Sequence, residues 1–431
     1  AGATLLLQAP PEAGKTTRVP LALRAALEAS HGADHGRILM LEPRRVAARA
    51  AANFMARQKN EAVGQGVGYR IRFENKTSAA TRVEVLTEGI LTRMIQDNPE
   101  LPNVGAVIFD EFHERSLNAD LGLALCLEIA GALRDDLLLV VMSATLDAGP
   151  VGVLMNAPVV TSEGRSFPVT SHWLDKPLAK TVRYEQAVAD LVLHAMAQTE
   201  GSALVFLPGE GEIRRVENTL ARQVPPDCTI APLFGAMEFK AQRAAIDPAP
   251  TGRKIVLATS IAEPSLTIEG IRIVVDGGRA RRAEFNPSSG MSRLVTTRVT
   301  QAEATQRAGR AGRMSAGAAY KLWTRGEDGA LAAYPPAEIE SGDLAGFALE
   351  LALWGAQAED LAFVTPPHAG RLAEARALLQ MLGALDAQGR ITAHGRVLAK
   401  LPLHPRLAHM VALGGRTAAT LAAILAERDP L

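Results

Sequence analysis

The chain has 431 residues with 46 basic and 46 acidic side chains, so its formal net charge is zero. At roughly 100–200 residues per domain, this length predicts two to four domains, and the charge balance excludes a protein that holds nucleic acid by overall positive charge. The two cysteines, Cys126 and Cys228, lie far apart and match no zinc spacing, which excludes a disulfide framework and favours a reducing cytoplasm. The longest apolar runs, such as Leu137–Met142, are too short to span a bilayer, so we expect no membrane association.

Short apolar runs alternate with stretches rich in alanine, leucine and arginine in the first 150 residues. The runs predict buried strands at Thr4–Gln8, Ile38–Glu42, Val83–Thr87, Ala106–Phe109 and Leu138–Met142. Helices are predicted between them, for example at Pro20–Ala29 and Val46–Arg57. This alternation predicts a parallel sheet that is covered by helices on both faces.

The same alternation restarts after a connection at Gly164–Pro177. It predicts strands at Ala203–Leu207, Thr229–Leu233, Ile255–Ala258 and Ile271–Val275, and helices at Glu210–Arg222 and Phe239–Ala245. Beyond about Gly326 the pattern is helical, and Leu385–Leu398 predicts a short turn and strand pair, as in a winged-helix module. We therefore predict an α/β protein with domains at residues 1–165, 166–326, 327–401 and 402–431, the last being the start of another helical unit.

A phosphate-binding loop is predicted where Gly14-Lys15-Thr16-Thr17 follows the first strand and opens a helix. Backbone N–H groups around Ala13–Thr17 would receive the phosphates, Lys15 would contact the β- and γ-phosphates, and the Thr16 hydroxyl would ligate Mg²⁺. Two glycines of the usual pattern are replaced, by Ala9 and Glu12. A non-glycine backbone there can cost about 1–3 kcal/mol, and a carboxylate would lie beside the phosphates, so we expect weakened nucleotide binding.

An acidic pair follows the strand Ala106–Phe109. Asp110 at the end of this strand is placed to hold Mg²⁺, and Glu111 can orient and deprotonate an attacking water, so the predicted metal set is Thr16, Asp110 and Glu111. His113 lies two residues beyond Glu111 and can transmit a change at the bound nucleotide to another segment of the chain. Alone, such a pair is more often a solvated loop, but the lysine-containing loop upstream makes a nucleotide site the better interpretation.

Nine motifs now stand in one order along the chain: Ala9–Thr17, Glu42–Arg49, Gly68–Phe73, Thr87–Gly89, Asp110–Ser116, Ser143–Thr145, Leu204–Gly209, Ala258–Ile268 and Gln306–Arg313. The series resembles the DEAH/RHA group of superfamily 2 helicases, and within it the bacterial HrpB type. The resemblance implies two tandem RecA-like domains, then a winged-helix domain and the start of a ratchet-like helical domain. Members of this type look longer, so we expect a further C-terminal part.

The resemblance also implies an ATP- and Mg²⁺-dependent, nucleic-acid-stimulated NTPase that moves 3′-to-5′ along single-stranded RNA or DNA. Gln306 would place the water, and Arg310 and Arg313 would act as arginine fingers. Ser143 and Thr145 match the motif that couples hydrolysis to movement. Phe54 and Ile246 fall near the positions that clamp the base. Phe54 stands where an arginine is usual, so we predict weak discrimination among ATP, GTP and other NTPs.

A nucleic-acid track is predicted on loops at the edge of the sheet where the parallel strands end. By resemblance, its residues contact the sugar-phosphate backbone without reading sequence: Arg44, Arg45, Arg70, Arg72, Thr87, Glu88, Gly89, Gly209 and Thr259. The segment that begins with Arg279, Arg281 and Arg282 and continues to Phe285-Asn286-Pro287 resembles a strand-separating β-hairpin, although a surface basic turn explains it equally well. The segment Gln306–Arg313 would equally permit a solvent-facing basic helix, except that its two glycines argue for a close approach.

Two other functions fit parts of the sequence. One is an RNA-binding scaffold whose NTPase is impaired by Glu12, and the other is a nucleotide-driven protein remodeller, which needs neither Arg44 nor the Gly68–Phe73 segment. If the chain is a helicase, we expect a cytoplasmic monomer that binds accessory proteins through the further C-terminal part. RNA and DNA stay equally open, because only a direct contact to the 2′-hydroxyl would distinguish them.

Overall fold

The computed structural model describes residues 3–10, 13–32, 36–144, 149–162, 167–249, 251–263, 268–286 and 290–426. Over these ranges the chain forms two parallel sheets, each covered by helices, followed by a helical region at the C-terminal end. A long two-stranded hairpin projects from the second sheet. The predicted fold class is therefore confirmed.

The first sheet has eight strands in the order β4-β3-β5-β2-β6-β7-β1-β8, and all neighbours are parallel except β3 and β4. Its strands are β1 (Thr4–Gln8), β2 (Arg37–Glu42), β3 (Val67–Ile71), β4 (Glu74–Lys76), β5 (Val83–Thr87), β6 (Val104–Phe109), β7 (Leu138–Ser143) and β8 (Val159–Thr161). The helices are α1 (Lys15–His31), α2 (Arg45–Gln58), α3 (Glu88–Asp97), α4 (Leu117–Ala132) and α5 (Gly149–Met155).

Strand β2 shows why these strands are continuously apolar. Ile38 and Met40 point into the cluster beneath α2, whereas Leu39 and Leu41 point into the cluster shared with α3 and α4. Successive side chains of a strand face opposite sides, so a sheet with helices on both faces needs apolar residues at every position. Because these strands are parallel, the carboxyl ends of β1, β2, β5, β6 and β7 lie at the same edge of the sheet.

The second sheet has six parallel strands in the order β11-β12-β10-β13-β16-β9. They are β9 (Val169–Leu174), β10 (Ser202–Phe206), β11 (Cys228–Leu233), β12 (Arg253–Ala258), β13 (Ile271–Asp276) and β16 (Gly317–Thr324). The helices of this sheet are α6 (Tyr184–Gln198), α7 (Glu210–Leu220), α8 (Phe239–Ile246) and α9 (Gln301–Gly309). The hairpin is antiparallel and consists of β14 (Arg279–Asn286) and β15 (Met291–Arg298).

The C-terminal region packs on helices α3 and α4 of the first domain, although the second domain separates the two in sequence, and its first helix contacts β16 of the second sheet. Its helices are α10 (Arg325–Gly329), α11 (Glu338–Ser341), α12 (Ala345–Trp354), α13 (Ala369–Met381), α14 (Ala393–Ala399) and α15 (Pro405–Ala426). Phe347 and Leu351 of α12 belong to the same buried cluster as Leu91 and Ile95 of α3. This shared core attaches the C-terminal region to the first domain.

Three local predictions are wrong. Val169–Leu174, inside the predicted connection Gly164–Pro177, is strand β9, which pairs with the unpredicted strand β16. Most of the Gly68–Phe73 segment lies in strand β3 instead of a loop. The strand pair predicted at Leu385–Leu398 is a single bridge between Leu385 and Ile391, followed by helix α14. Edge strand β9 and the one-bridge wing carry a weaker apolar signal than central strands. Strand β3 is interior, but Gly68 and Arg70 interrupt its apolar run.

The domain boundaries stay predictions, because the first of them falls within residues 163–166, outside the described ranges. Helix α15, with 22 residues, is long enough and apolar enough to cross a membrane by length and composition alone, contrary to the expectation that no segment would qualify. Gly415 has non-helical backbone angles and divides this helix into two shorter pieces. A core helix of a soluble protein passes the same test, so this is weak evidence.

Candidate nucleotide site and strand interface

The described ends of the loop between β1 and α1 place Gly14 directly before the first turn of α1. Gly14 caps α1 with φ of 72° and ψ of 24°, a left-handed conformation that glycine adopts without strain. The amide of Ala9 donates to the carbonyl oxygen of Ser143 at 3.0 Å, which ties the loop to the end of β7. Thr17 is half-buried in the first turn. Residues 11 and 12 lie outside the described part of the chain, so the expectation about Glu12 stays a prediction.

Thr16 and Asp110 meet as predicted for a shared magnesium site. The Thr16 hydroxyl donates to Asp110 Oδ2 at 2.5 Å, and the Glu111 amide donates to Asp110 Oδ1 at 2.8 Å. Burial raises the pKa of Asp110 to about 6, and the neighbouring charge of Glu111 adds to this effect. A hydroxyl and a carboxylate are oxygen donors of the kind that Mg²⁺ prefers, so these residues fit the ion.

Lys15 and Glu111 form a buried ion pair. Lys15 Nζ lies 3.3 Å from Glu111 Oε1, and both side chains are almost fully buried. Burial is the largest single influence on Glu111 and would raise its pKa, but Lys15, His113 and Arg310 together outweigh it, so the pKa is lowered. Glu111 is therefore ionised at neutral pH, which a general base requires. Its φ of 50° is left-handed, a strained conformation of the kind that clusters at functional sites.

His113 connects three of the predicted motifs. The Ala144 amide donates to its Nδ1 at 3.3 Å, while Nε2 lies 3.4 Å from Glu111 Oε2 and 3.5 Å from Gln306 Nε2. Burial lowers the pKa of His113, so the ring is neutral, and its proton is on Nε2 because Nδ1 accepts from the amide. The histidine thus touches the acidic pair and the second domain at once. Ser143 ends β7 next to it, whereas Thr145 lies outside the described residues.

The second domain presents helix α9 and the short 3₁₀ turn Arg310–Gly312 to this acidic site. Arg310 is buried, and its charge acts on Glu111 across the boundary between the domains. Arg313 is half-buried at the end of the turn. One of the two glycines expected to permit a close approach does so: a Cβ at Gly312 would lie 2.5 Å from the carbonyl oxygen of Phe167.

The base-binding prediction concerns a neighbouring part of the domain boundary. Val46 and Ala50 of α2 pack against the apolar cluster of the second domain, and Ile246 packs against the same cluster. Phe54 lies one turn beyond Ala50, and half of its side chain is exposed. An exposed aromatic ring at this boundary suits stacking on a base without selecting among bases.

Arg44 links the two domains in this structure. It caps α2, and its guanidinium donates to the carbonyl oxygen of Ser260 at 2.5 Å and to Glu114 at 3.2 Å. Ser260 directly follows Thr259, another predicted track residue, so the two predicted halves of the track are adjacent here. Burial raises the pKa of Glu114 to about 7, against the opposing charge of Arg44.

Three predicted track residues are in contact with other groups of the protein in this structure. Arg70 lies within β3 rather than on a loop, and pairs with the buried Glu84 at 2.8 Å. Glu88 is buried and accepts a hydrogen bond from Ser116, which caps α4. Gly209 is covered by the Arg281 guanidinium. Strand pairing and buried partners decide these positions, and neither is visible in a short motif.

The remaining track residues lie at the expected edge. Arg45 is exposed at the first turn of α2, and Thr87 caps α3. A Cβ at Gly89 would meet no described atom within 4 Å, so strand backbone could approach this glycine. Arg72 is exposed at the turn between β3 and β4, where its guanidinium lies 4.7 Å from the Phe73 ring centroid.

Two site residues were missed by sequence reasoning. Glu42 at the end of β2 is fully buried beside Asp110, and burial together with the Asp110 charge raises its pKa well above the usual range. Arg307 is buried within the second domain and pairs with Glu263 and Asp276. Glu42 could have been found from its position at the carboxyl end of a central strand. Arg307 follows Gln306 directly, but nothing in the spacing shows that it faces away from the cleft.

Comparisons with known proteins agree with this geometry. Residues 1–151 match the family model for the DEAD/DEAH box helicase, 184–315 the helicase conserved C-terminal domain, and 375–403 the winged-helix helicase associated domain (HA2). The ATP-dependent RNA helicase HrpB of Escherichia coli (strain K12) is 49% identical over 98% of this chain and 52% of its own length.

Two crystal structures of E. coli HrpB are also similar over the whole chain. One, described as a DEAH/RHA helicase, has a TM-score of 0.92 at 48% identity and is covered over 55% of its length. The other, described as a DExH-box NTPase, has a TM-score of 0.87 at 48% identity and is covered over 53%. The chain spans about half the length of these relatives. It therefore belongs to the DEAD/DEAH-box helicase family, and within that family to the DEAH/RHA group.

Proposed function

We propose that this chain contains the motor of an ATP-dependent helicase or translocase of the DEAH type, which hydrolyses ATP between its two sheet domains and moves 3′-to-5′ along single-stranded RNA or DNA. The E. coli relative is an RNA helicase by name, which favours RNA. The observation that carries the proposal is the meeting of His113 with both Glu111 and Gln306, because it joins the acidic pair of one domain to the basic helix of the other.

The hydrolytic step follows from the charges at this boundary. An arriving triphosphate attracts Lys15 away from Glu111. The freed Glu111 keeps the positive charge of Arg310 beside it, which favours its ionised form, so it can orient a water and accept its proton. Gln306 helps to place that water, and Arg310 and Arg313 stabilise the charge that develops on the γ-phosphate. These donors come from the second domain, so the site is complete only when the domains are together.

Thr16 and Asp110, with Glu111 beside them, would hold Mg²⁺, which would neutralise phosphate charge. Loss of the γ-phosphate removes the anion that attracts both Lys15 of one domain and Arg310 of the other, so the domains part. The track residues Arg45, Arg72 and Gly89 grip the strand from the first domain. The groups near Thr259 grip it from the second, so each cycle shifts one grip relative to the other.

Steady-state hydrolysis with and without single-stranded RNA or DNA tests the proposal. We expect stimulation by the strand, and weaker stimulation at higher salt, because phosphate contacts release counterions. The variant Arg45→Gln lowers strand affinity and reduces the salt slope by about one. Arg57→Gln is the matched control, because Arg57 is an exposed arginine at the opposite end of α2.

Two results would contradict the proposal. Hydrolysis that no single strand stimulates would favour the protein remodeller. Strand binding with negligible hydrolysis, restored sharply by Glu12→Gly, would favour the scaffold with an impaired NTPase. Equal effects of Arg45→Gln and Arg57→Gln would remove Arg45 from the track while leaving the motor intact.

A further inference from the structure

Helix α9, which carries Gln306, begins with a capping box that also contacts the hairpin. Thr300 and Glu303 exchange the two hydrogen bonds of this motif. The same Glu303 carboxylate accepts a hydrogen bond from Arg282 of β14 at 2.6 Å, and both side chains of this pair are less than one-fifth exposed. The start of α9 is thereby attached to the hairpin.

A second attachment lies one helical turn further along α9. Arg307 is buried and donates to Glu263 at 2.6 Å and to Asp276 at 2.8 Å. It also donates to the carbonyl oxygen of Arg279, the first residue of the hairpin, at 3.2 Å. The charges of Asp276 and Glu263 raise the pKa of Arg307 although burial opposes this, so the guanidinium is permanently charged.

The far part of the hairpin reaches the C-terminal region. Ser292 of β15 accepts a hydrogen bond from the Asp343 amide at 3.3 Å, and the Arg371 guanidinium lies 5.9 Å from the centroid of the Phe285 ring. The hairpin therefore spans from the helix at the nucleotide site to the helices packed on the first domain. A displacement of α9 must move it, because both attachments are charge-assisted and largely shielded from water.

We propose that Glu303 and Arg307 are positioning residues that fasten α9 to the hairpin, so that strand contact and nucleotide hydrolysis are energetically coupled through this rigid unit. The inference rests on the proposed motor function. By linkage, a strand that shifts the hairpin must act on the helix that carries Gln306, and the reverse. Neither residue touches the nucleotide, so each acts through the position of the helix.

The chain offers a closely matched control. Helix α10 begins with the same capping box, formed by Thr324 and Glu327, and Glu327 also pairs with a hairpin arginine, Arg298, at 3.4 Å. Glutamine can replace glutamate in a capping box. Glu303→Gln and Glu327→Gln therefore each keep the cap and weaken one ion pair to the hairpin. Only the first of them loosens the helix that faces the nucleotide.

The experiment measures hydrolysis by the whole chain as a function of single-stranded RNA concentration for the parent and the two variants. For Glu303→Gln we expect unchanged hydrolysis without RNA, an unchanged RNA concentration at half-stimulation, and a maximal stimulated rate lower by about three-fold or more, the size expected for coupled neighbours. Glu327→Gln should match the parent in all three quantities. Arg307 is not substituted, because its removal would leave two buried carboxylates without a cationic partner.

Every outcome decides the inference. Equal stimulation of the parent and Glu303→Gln would show that Glu303 does not couple strand contact to hydrolysis, and it would not affect the proposed motor function. Equal loss in both variants also overturns it, because the effect would then belong to the hairpin in general. A loss of basal hydrolysis or a raised half-stimulation concentration in Glu303→Gln would assign the residue to the nucleotide site or to the strand site. A parent that neither single-stranded RNA nor single-stranded DNA stimulates overturns the proposed function, and this inference with it.

Discussion

Replacing Glu111 with glutamine isolates the chemical step from nucleotide binding. The substitution keeps the shape of the side chain and removes its charge. Glu111 is buried, lies 3.3 Å from Lys15, and has its pKa lowered by that lysine against the effect of burial. An amide cannot accept the proton of the attacking water. It also no longer competes with phosphate for Lys15, so nucleotide affinity should be kept or increased.

The expected loss follows from the contribution of a general base. Such a group supplies about 10²–10⁴-fold in rate, which at about 1.36 kcal/mol for each ten-fold corresponds to about 3–5 kcal/mol in the barrier. We expect kcat to fall by that factor for both basal and RNA-stimulated hydrolysis. The effect should appear in kcat, because the interaction is made in the transition state and not in the bound ground state.

The assay pairs steady-state hydrolysis with a binding titration using a fluorescent ATP analogue. Glu114→Gln is the control, because Glu114 belongs to the same motif but its carboxylate faces Arg44. That variant should change kcat by less than about ten-fold. Hydrolysis by Glu111→Gln at the parent rate would refute the assignment of the base. Loss of nucleotide affinity together with kcat would show that Glu111 acts in binding.

Two further predictions concern stability and the phosphate loop. Burial raises the pKa of Glu88 to about 7, so the folded state holds the Glu88 proton more tightly than the unfolded state does. The free energy of unfolding therefore falls as the pH rises from about 4.5 to 7. This group accounts for a decrease of up to about 3 kcal/mol. Glu88→Gln should raise the thermal midpoint relative to the parent at pH 8 but not at pH 5, and an equal difference at both pH values would contradict the burial argument. Glu12→Gly should raise kcat/KM for ATP by no more than about 150-fold, because the roughly 1–3 kcal/mol that a non-glycine backbone can cost at this position corresponds to about 5–150-fold in rate; a much larger rise would favour the impaired scaffold.

Much of the architecture was predictable because its signals are local. The central strands are covered on both faces, so they appear as unbroken apolar runs. Gly14-Lys15-Thr16 opens a helix after such a run, and Asp110 ends another, which places them at one edge of any parallel sheet. The contact between Thr16 and Asp110 agrees with this rule, but it also requires the strand order, in which only β7 separates β1 from β6. Edge strand β9 and the short wing escaped prediction, because half-exposed segments lack that signal.

The sequence by itself determined the order of the motifs, the two parallel sheets and the residue types that surround the nucleotide. Only the tertiary structure decided which charges become partners. Arg44 reaches Ser260 across the domain boundary, Glu88 turns inward to Ser116, and Glu303 holds the hairpin through Arg282. The physical reason is that an ion pair or a buried hydrogen bond depends on which distant elements become neighbours, and residue spacing along the chain carries no record of that.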